Sequence, residues 1–261
     1  RLEIALFKGE FDAHFQPKVD MRDGALIGCE ALVRWNHPTR GLLMPGSFIP
    51  FFERNGSVVE VDLYIYELVC RTVREWLDRG MNVNPVSCNF SSLHFDSPDF
   101  PELAAAIADR HNVPHALLEL EITESAIMRN PQIVCAQVLR LKELGFMIAI
   151  DDFGSGYSSL GQLQQLMADV LKLDRSFVRR GMFGTRERIV ISNVIHMAGE
   201  LGMQVICEGV ENAKQAEMLI ELGCYYAQGF YYAKPMPKDA FEGLLEKGNV
   251  PHGEEIRNGA L

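Results

Sequence analysis

Long apolar runs are missing from this sequence, and with them any stretch able to cross a bilayer as a helix. No secretory signal opens it. The chain starts at Arg1 rather than Met, as expected of a fragment cut from a longer protein. Paired cysteines are missing too. Cys29, Cys70, Cys88, Cys135, Cys207 and Cys224 stand singly, mostly in apolar stretches, with no C-x-x-C and no Cys/His spacing suited to zinc. They read as reduced core residues of a cytosolic protein. No basic cluster stands out, and the net charge is −10, which argues against a surface for duplex DNA or RNA. An acidic protein still accommodates a small phosphate ligand where metal ions reverse the local field. The fingerprint G-x-G-x-x-G is absent from the first strand turn, which counts against a dinucleotide cofactor. The seven histidines are dispersed and suggest no role.

What is present is a regular alternation. The 261 residues, 48% apolar, suffice for a large core and one or two domains. Residues 10–19 and 25–34 read as strands joined by the turn Met21-Arg22-Asp23-Gly24, too short for a parallel crossover, so they should pair antiparallel. A short helix over 45–54 and a longer one over 58–79 follow, the latter with Val61, Ile65, Val69, Val73 and Trp76 at helical spacing. Strands are expected over 86–90, 117–122, 146–150, 169–173, 203–207 and 224–228. Helices are expected between them, from the Ser97-Pro98 cap to 112, over 131–144, 159–167, 187–201 and 213–222, with a closing helix over 239–247. Eight strands with intervening helices match an α/β fold, a (β/α)8 barrel modified by an antiparallel first strand. An open doubly wound sheet is the alternative. Residues 1–247 make one barrel domain, and 248–261 a flexible polar tail.

The barrel reading carries its own check, because functional side chains belong at the C-terminal ends of the strands. Asn89, Glu121 with Glu124, Asp151 with Asp152, Lys172 with Asp174, Glu208 with Glu211, and Gln228 all fall there. Glu30 interrupts the apolar second strand and Arg34 ends it. Singly, each has a plain explanation. Glu30 could face solvent from an edge, Asn89 cap a turn, Thr123 cap a helix begun by Glu124, Lys172 be solvated, and Asp174 cap a helix. Asp151-Asp152-Phe153-Gly154 alone divides evenly between a metal site and a turn that stops a strand. All of them sharing one rim favours a common site.

So many carboxylates on one rim repel unless cations join them. The candidate ligands Glu30, Asn89, Glu121, Asp151 and Asp152, with Glu208, are all oxygen donors, suited to Mg²⁺, Mn²⁺ or Ca²⁺ rather than zinc. Adjacent aspartates can hold two ions, and two ions roughly 3.5–4 Å apart serve in-line displacement at phosphorus. Lys172 is either a cationic stabiliser or, with its pKa lowered by metal charge, a base; the residues leave both open.

The chain resembles the EAL domain family, phosphodiesterases of the bacterial messenger cyclic di-GMP. The resemblance rests on Gln16-Pro17-Lys18-Val19, Glu30-Ala31-Leu32-Val33-Arg34-Trp35, Asn89-Phe90-Ser91, Glu121-Ile122-Thr123-Glu124, Asp151 to Leu160, Leu171 to Val178, Glu208-Gly209-Val210-Glu211 and Gln228-Gly229-Phe230. It implies hydrolysis of cyclic di-GMP to linear pGpG with Mg²⁺ or Mn²⁺, in the cytoplasm, by a homodimer often preceded by a sensor or cyclase-type domain. The parent protein can be membrane-anchored while this domain makes no membrane contact. It implies metal ligation by Glu30, Asn89, Glu121, Asp151 and Asp152, and catalysis by Lys172, Glu208 and Asp152. It places Gln16, Leu32, Arg34, Asp174, Glu211 and Gln228 at substrate contacts. Glu124 and the loop Phe153, Gly154, Ser155 and Gly156 would couple the metals to a dimer contact. Ser155 replaces a more usual Thr and keeps the hydroxyl. An EAL-like receptor that binds the messenger without cutting it is the competing function, and such receptors lose part of the site.

Overall fold

The computed structural model describes residues 2–154, 166–179 and 184–250. Eight strands close a barrel: β1 (Phe11–Asp20), β2 (Leu26–His37), β4 (Val86–Asn89), β5 (Leu118–Thr123), β6 (Met147–Phe153), β7 (Val170–Leu173), β8 (Gln204–Glu208) and β9 (Tyr226–Gln228). Two short strands extend it, β3 (Gly41–Leu43) on β2 and β10 (Met236–Pro237) on β1. From β2 through β9 the pairings between barrel strands are parallel. β1 runs antiparallel to β2, as the short first turn requires, and also to β9, its other neighbour in the barrel. The barrel is closed, so the open-sheet alternative falls.

A parallel wall buries both its faces. On β5 the order Leu118-Glu119-Leu120-Glu121-Ile122 is buried throughout, at 0–4% exposure. The leucines and Ile122 belong to the large core shared with the helices. A separate small cluster, Ala149, Val170 and Ile206 with Met147 and Tyr226, alternates with outward residues of β6 to β9 and fills part of the interior. The helix Val58–Asp78 lays Val61, Ile65, Val69, Val73 and Trp76 on the wall. The Trp76 ring meets Phe15 at 5.2 Å and Phe241 at 5.7 Å, between ring centroids.

Several boundaries differ from the sequence reading. The helix expected from Ser97-Pro98 starts at Phe100, because Ser97 closes a preceding 3-10 turn, Ser92–Asp96. β2 runs three residues beyond Arg34 and turns back as β3. Helix Leu2–Phe7 is additional, and Glu124–Arg129 is the helix that a Thr123 cap would begin. Of the expected polar tail, Gly248 caps the last helix, Asn249 bridges to Ala25 and Val250 is buried, so the chain stays attached up to there. The helix expected over 159–167 falls almost wholly outside the described residues, as do Ser155, Gly156 and the tail beyond 250. Among the described residues no helix is long and apolar enough to cross a membrane.

Candidate active site

Lys172, on β7, is fully buried rather than solvated. Its ammonium is ringed by carboxylates from four other strands: Glu121 Oε2 at 2.6 Å, Glu208 Oε1 at 2.8 Å, Asp151 Oδ1 at 3.0 Å and Glu30 Oε2 at 3.3 Å. Glu30 is buried, not facing solvent from an edge. Among the described residues Asn89 caps no turn; its Nδ2 donates to Glu30 Oε1 at 2.6 Å. Gln228 Nε2 donates to Glu30 Oε2 at 2.6 Å and to Gln16 Oε1 at 3.0 Å. The reversed β1 thus also supplies a polar group to this rim, Gln16. Asp174 does act locally as a cap, its Oδ1 accepting from Ser176 N at 2.9 Å.

Burial and crowding divide these acids. Burial pushes Glu30 up, and the Glu121 charge adds to it. Burial also raises Asp151 against the opposing pull of Lys172. For Glu208 burial again dominates and the group is pushed up to about 8. Asp152 is raised by burial and by Asp174. Glu121 goes the other way: burial would raise it, but Lys172 and Lys18 together hold it down at about 2. Burial opposes the charge on Lys172, yet Asp151, Glu121, Glu208 and Glu30 outweigh it and keep its pKa well above the ordinary value.

The end of β6 departs from regular strand geometry. Its register with β7 shifts between Ile150 and Phe153, and Asp152 has φ 55°. This kink lets consecutive residues serve one site. Oxygens of Asp151, Asp152 and Glu208 lie within 4.8 Å of one another. Phe153 turns back into the core. Gly154 follows at φ 90°, where a Cβ would overlap the Phe177 ring, and its N–H donates to Glu124 Oε2 at 2.7 Å. Glu124 is placed by its own helix start, where Thr123 Oγ1 accepts from Ala126 N at 3.3 Å, the cap read in the sequence.

A cleft of about 280 Å³ opens over this cluster, walled by Gln16, Glu30, Leu32, Asp151, Glu208, Glu211 and Gln228, all expected at the site. Arg34 and Asp174 are not in this wall. Arg175, Gly209, Gly229 and Phe230 are, and none of the four was expected there. A Cβ at Gly229 would collide with the Val210 backbone, so the cleft floor depends on glycine. Glu211 is held by the next helix, where Gln215 Oε1 accepts from Glu211 N at 2.7 Å beside the Asn212 capping box. Glu30 and Leu32 also line a second cleft of about 290 Å³, with Asn89, Phe90 and Ser91. Lys18 and Glu119 were missed as well. They sit deeper inside the barrel, paired at 2.6 Å, and only their strand assignments were legible.

The donor set is compatible with a metal ion. It is made of oxygens, as hard divalent cations prefer. Asp151 Oδ1 is buried and accepts no hydrogen bond among the described residues, although Lys172 Nζ is near.

Comparison with known proteins gives one consistent family. The EAL domain model matches residues 1–235. The bifunctional diguanylate cyclase/cyclic di-GMP phosphodiesterase MucR of Pseudomonas aeruginosa is 37% identical over 238 residues, 91% of this chain and 35% of that protein. An uncharacterized Mycobacterium bovis protein is 37% identical over 255 residues, 96% of this chain and 41% of that protein. The chain therefore spans 35–41% of the length of these curated relatives. The MucR phosphodiesterase in complex with c-di-GMP superposes with TM-score 0.87 at 36% identity, covering 92% of this chain and 97% of that one. The EAL domain of Mycobacterium smegmatis DcpA superposes with TM-score 0.80 at 33% identity, covering 92% and 100%. A closed barrel with one reversed strand, a rim of oxygen donors around a buried lysine, and a family match over nine-tenths of its length place this chain in the EAL domain family.

Proposed function

We propose that this domain hydrolyses one phosphodiester bond of cyclic di-GMP, giving linear pGpG. The observation that carries this reading is the Lys172 ammonium enclosed by Glu30, Glu121, Asp151 and Glu208 with Asp152 alongside, a site complete in charge and donors. The complex of the similar MucR phosphodiesterase with c-di-GMP supports the substrate. Glu30, Asn89, Glu121, Asp151 and Asp152 would hold two Mg²⁺ or Mn²⁺ ions. When bound, such ions neutralise phosphoryl charge and make water more acidic.

The chain's own groups do the rest. Lys172 serves as a fixed positive charge for the phosphoryl oxygens, since its carboxylate cage favours the protonated form. Glu208, on the cleft wall with Asp152 beside it, is placed to take a proton from the attacking water once bound cations favour its ionised form. Gln16, Leu32, Glu211 and Gln228 contact the nucleotide in the cleft, with Arg34 reaching it from beside Glu30 and Asp174 from beside Asp152. Gln228 Oε1 and Arg34 Nε are buried and unbonded among the described residues, which leaves polar atoms for a ligand. Glu124 and the chain from Phe153 through Gly156 couple the site to a homodimer contact. The domain works in the cytoplasm under a sensor or cyclase-type domain of a longer, in some cases membrane-anchored, protein.

Incubation of the purified protein with cyclic di-GMP and Mg²⁺ or Mn²⁺, followed by chromatography, is expected to show pGpG. Tight binding with no product under varied metal and pH would overturn the enzyme reading and favour a receptor.

A further inference from the structure

A second buried lysine lies beneath the first. Lys18 comes from β1, whose neighbours around the barrel are β2 and β9, and yet its ammonium crosses the barrel to β5. There it donates to Glu119 Oε1 at 2.6 Å and to Glu121 Oε1 at 3.1 Å. Glu121 Oε2 faces Lys172 at 2.6 Å. Glu119, Lys18, Glu121 and Lys172 thus form a ladder of alternating charge through the barrel interior, each rung at most 4% exposed. The register partner of Lys18 on β2 is Gly28, where even a Cβ would approach the Lys18 stem to 3.9 Å and crowd Pro85 O at 2.8 Å. Glycine at this position sets no side chain of β2 against the Lys18 stem.

We propose that Lys18 is a positioning residue: it pins Oε1 of Glu121, so that Oε2 is presented to Lys172 and the rim above. The proposal rests on the phosphodiesterase reading for its kinetic consequence, but not for its structural one. Glu119 cancels the charge of Lys18, so the pair adds no net charge to the site. What it supplies is direction. A carboxylate held by one oxygen can swing; one held by both cannot. Buried groups that orient a metal-binding carboxylate typically matter by about 10–100-fold in metal affinity or activity when lost. The competing explanation is that Lys18 only neutralises Glu119.

Two variants separate these. Lys18→Met with Glu119→Gln removes both charges together and leaves no buried ion alone, whereas Glu119→Gln alone keeps Lys18 on Glu121. Mn²⁺ binding followed by electron paramagnetic resonance without substrate reads the site independently of turnover. We expect the double variant to bind Mn²⁺ about 10-fold more weakly and to lose about 10-fold in kcat with KM little changed. Glu119→Gln should match the parent protein in Mn²⁺ affinity. Parental Mn²⁺ affinity in the folded double variant would overturn the proposal. Should that variant fail to fold, a 10-fold weakening in Glu119→Gln alone would overturn it. If the parent protein does not cleave cyclic di-GMP at all, the phosphodiesterase reading fails while the Mn²⁺ measurements still decide this one.

Discussion

The two faces of β5 are equally buried and chemically opposite. Outward, Leu118, Leu120 and Ile122 meet the apolar layer under the helices; inward, Glu119 and Glu121 meet lysines. The outer contacts are non-directional, and each buried side chain stabilises by roughly 1.5–3 kcal/mol. The inner ion pairs contribute little net stability, because desolvation offsets their attraction, yet breaking one by removing a single partner costs about 3–5 kcal/mol. One layer holds the barrel together, and the other holds atoms in place at a cost that function has to justify. The comparison predicts that substitutions inside will damage chemistry first and those outside will damage stability first.

The sharpest break is Lys172→Met, inside. It leaves four carboxylates facing one another without their cation. Turnover of cyclic di-GMP should fall by at least about 10²-fold, beyond any loss of folded protein measured by circular dichroism. Residual activity close to the parent would remove Lys172 from the mechanism. Outside, Trp76→Ala opens a cavity between Phe15 and Phe241 and leaves Glu242 Oε1 without the indole donor. Urea unfolding should show about 3–5 kcal/mol lost, with kcat per folded molecule unchanged. A matching loss in kcat would mean the two layers are not separable.

The mildest effect needs no mutation. Glu208 titrates at about 8 in the fold against an ordinary value of 4.5, and Glu30, Asp151 and Asp152 shift in the same direction. Between those values the folded state holds protons that the unfolded chain has lost. Stability from these groups is therefore present at the acid side and lost as pH rises through about 8. Glu121, held at about 2, contributes oppositely, its share disappearing as pH falls below the ordinary carboxylate value. The melting temperature without divalent ions should fall between about pH 5 and pH 8, and added Mg²⁺ should flatten the curve. A curve that rises over that range would contradict the assigned directions.

Much of this is legible in the amino-acid sequence. The apolar runs gave each barrel strand, and the turn at Met21 to Gly24 gave the reversed one, because local chemistry alone decides both. The rim acids were legible because strand ends are. What escaped depends on contacts far apart in sequence. Nothing near Lys18 announces that its partner Glu119 lies 101 residues away, and Arg175 and Phe230 enter the cleft only through loop geometry. β3 and β10, three and two residues long, are too short for any periodicity to register. The plain alternatives set against a shared site, a solvated Lys172 and a Glu30 facing solvent from an edge, fall for one reason: in a closed barrel, no inward position on a strand is exposed merely because it is polar.

The left-handed turn at Asp152 limits which amino acids can stand there at all, before any chemistry is asked of them. Asparagine and glycine tolerate that backbone; a β-branched residue does not. Removing the Asp152 charge with Asn therefore tests the carboxylate, whereas removing it with Val tests the bend as well.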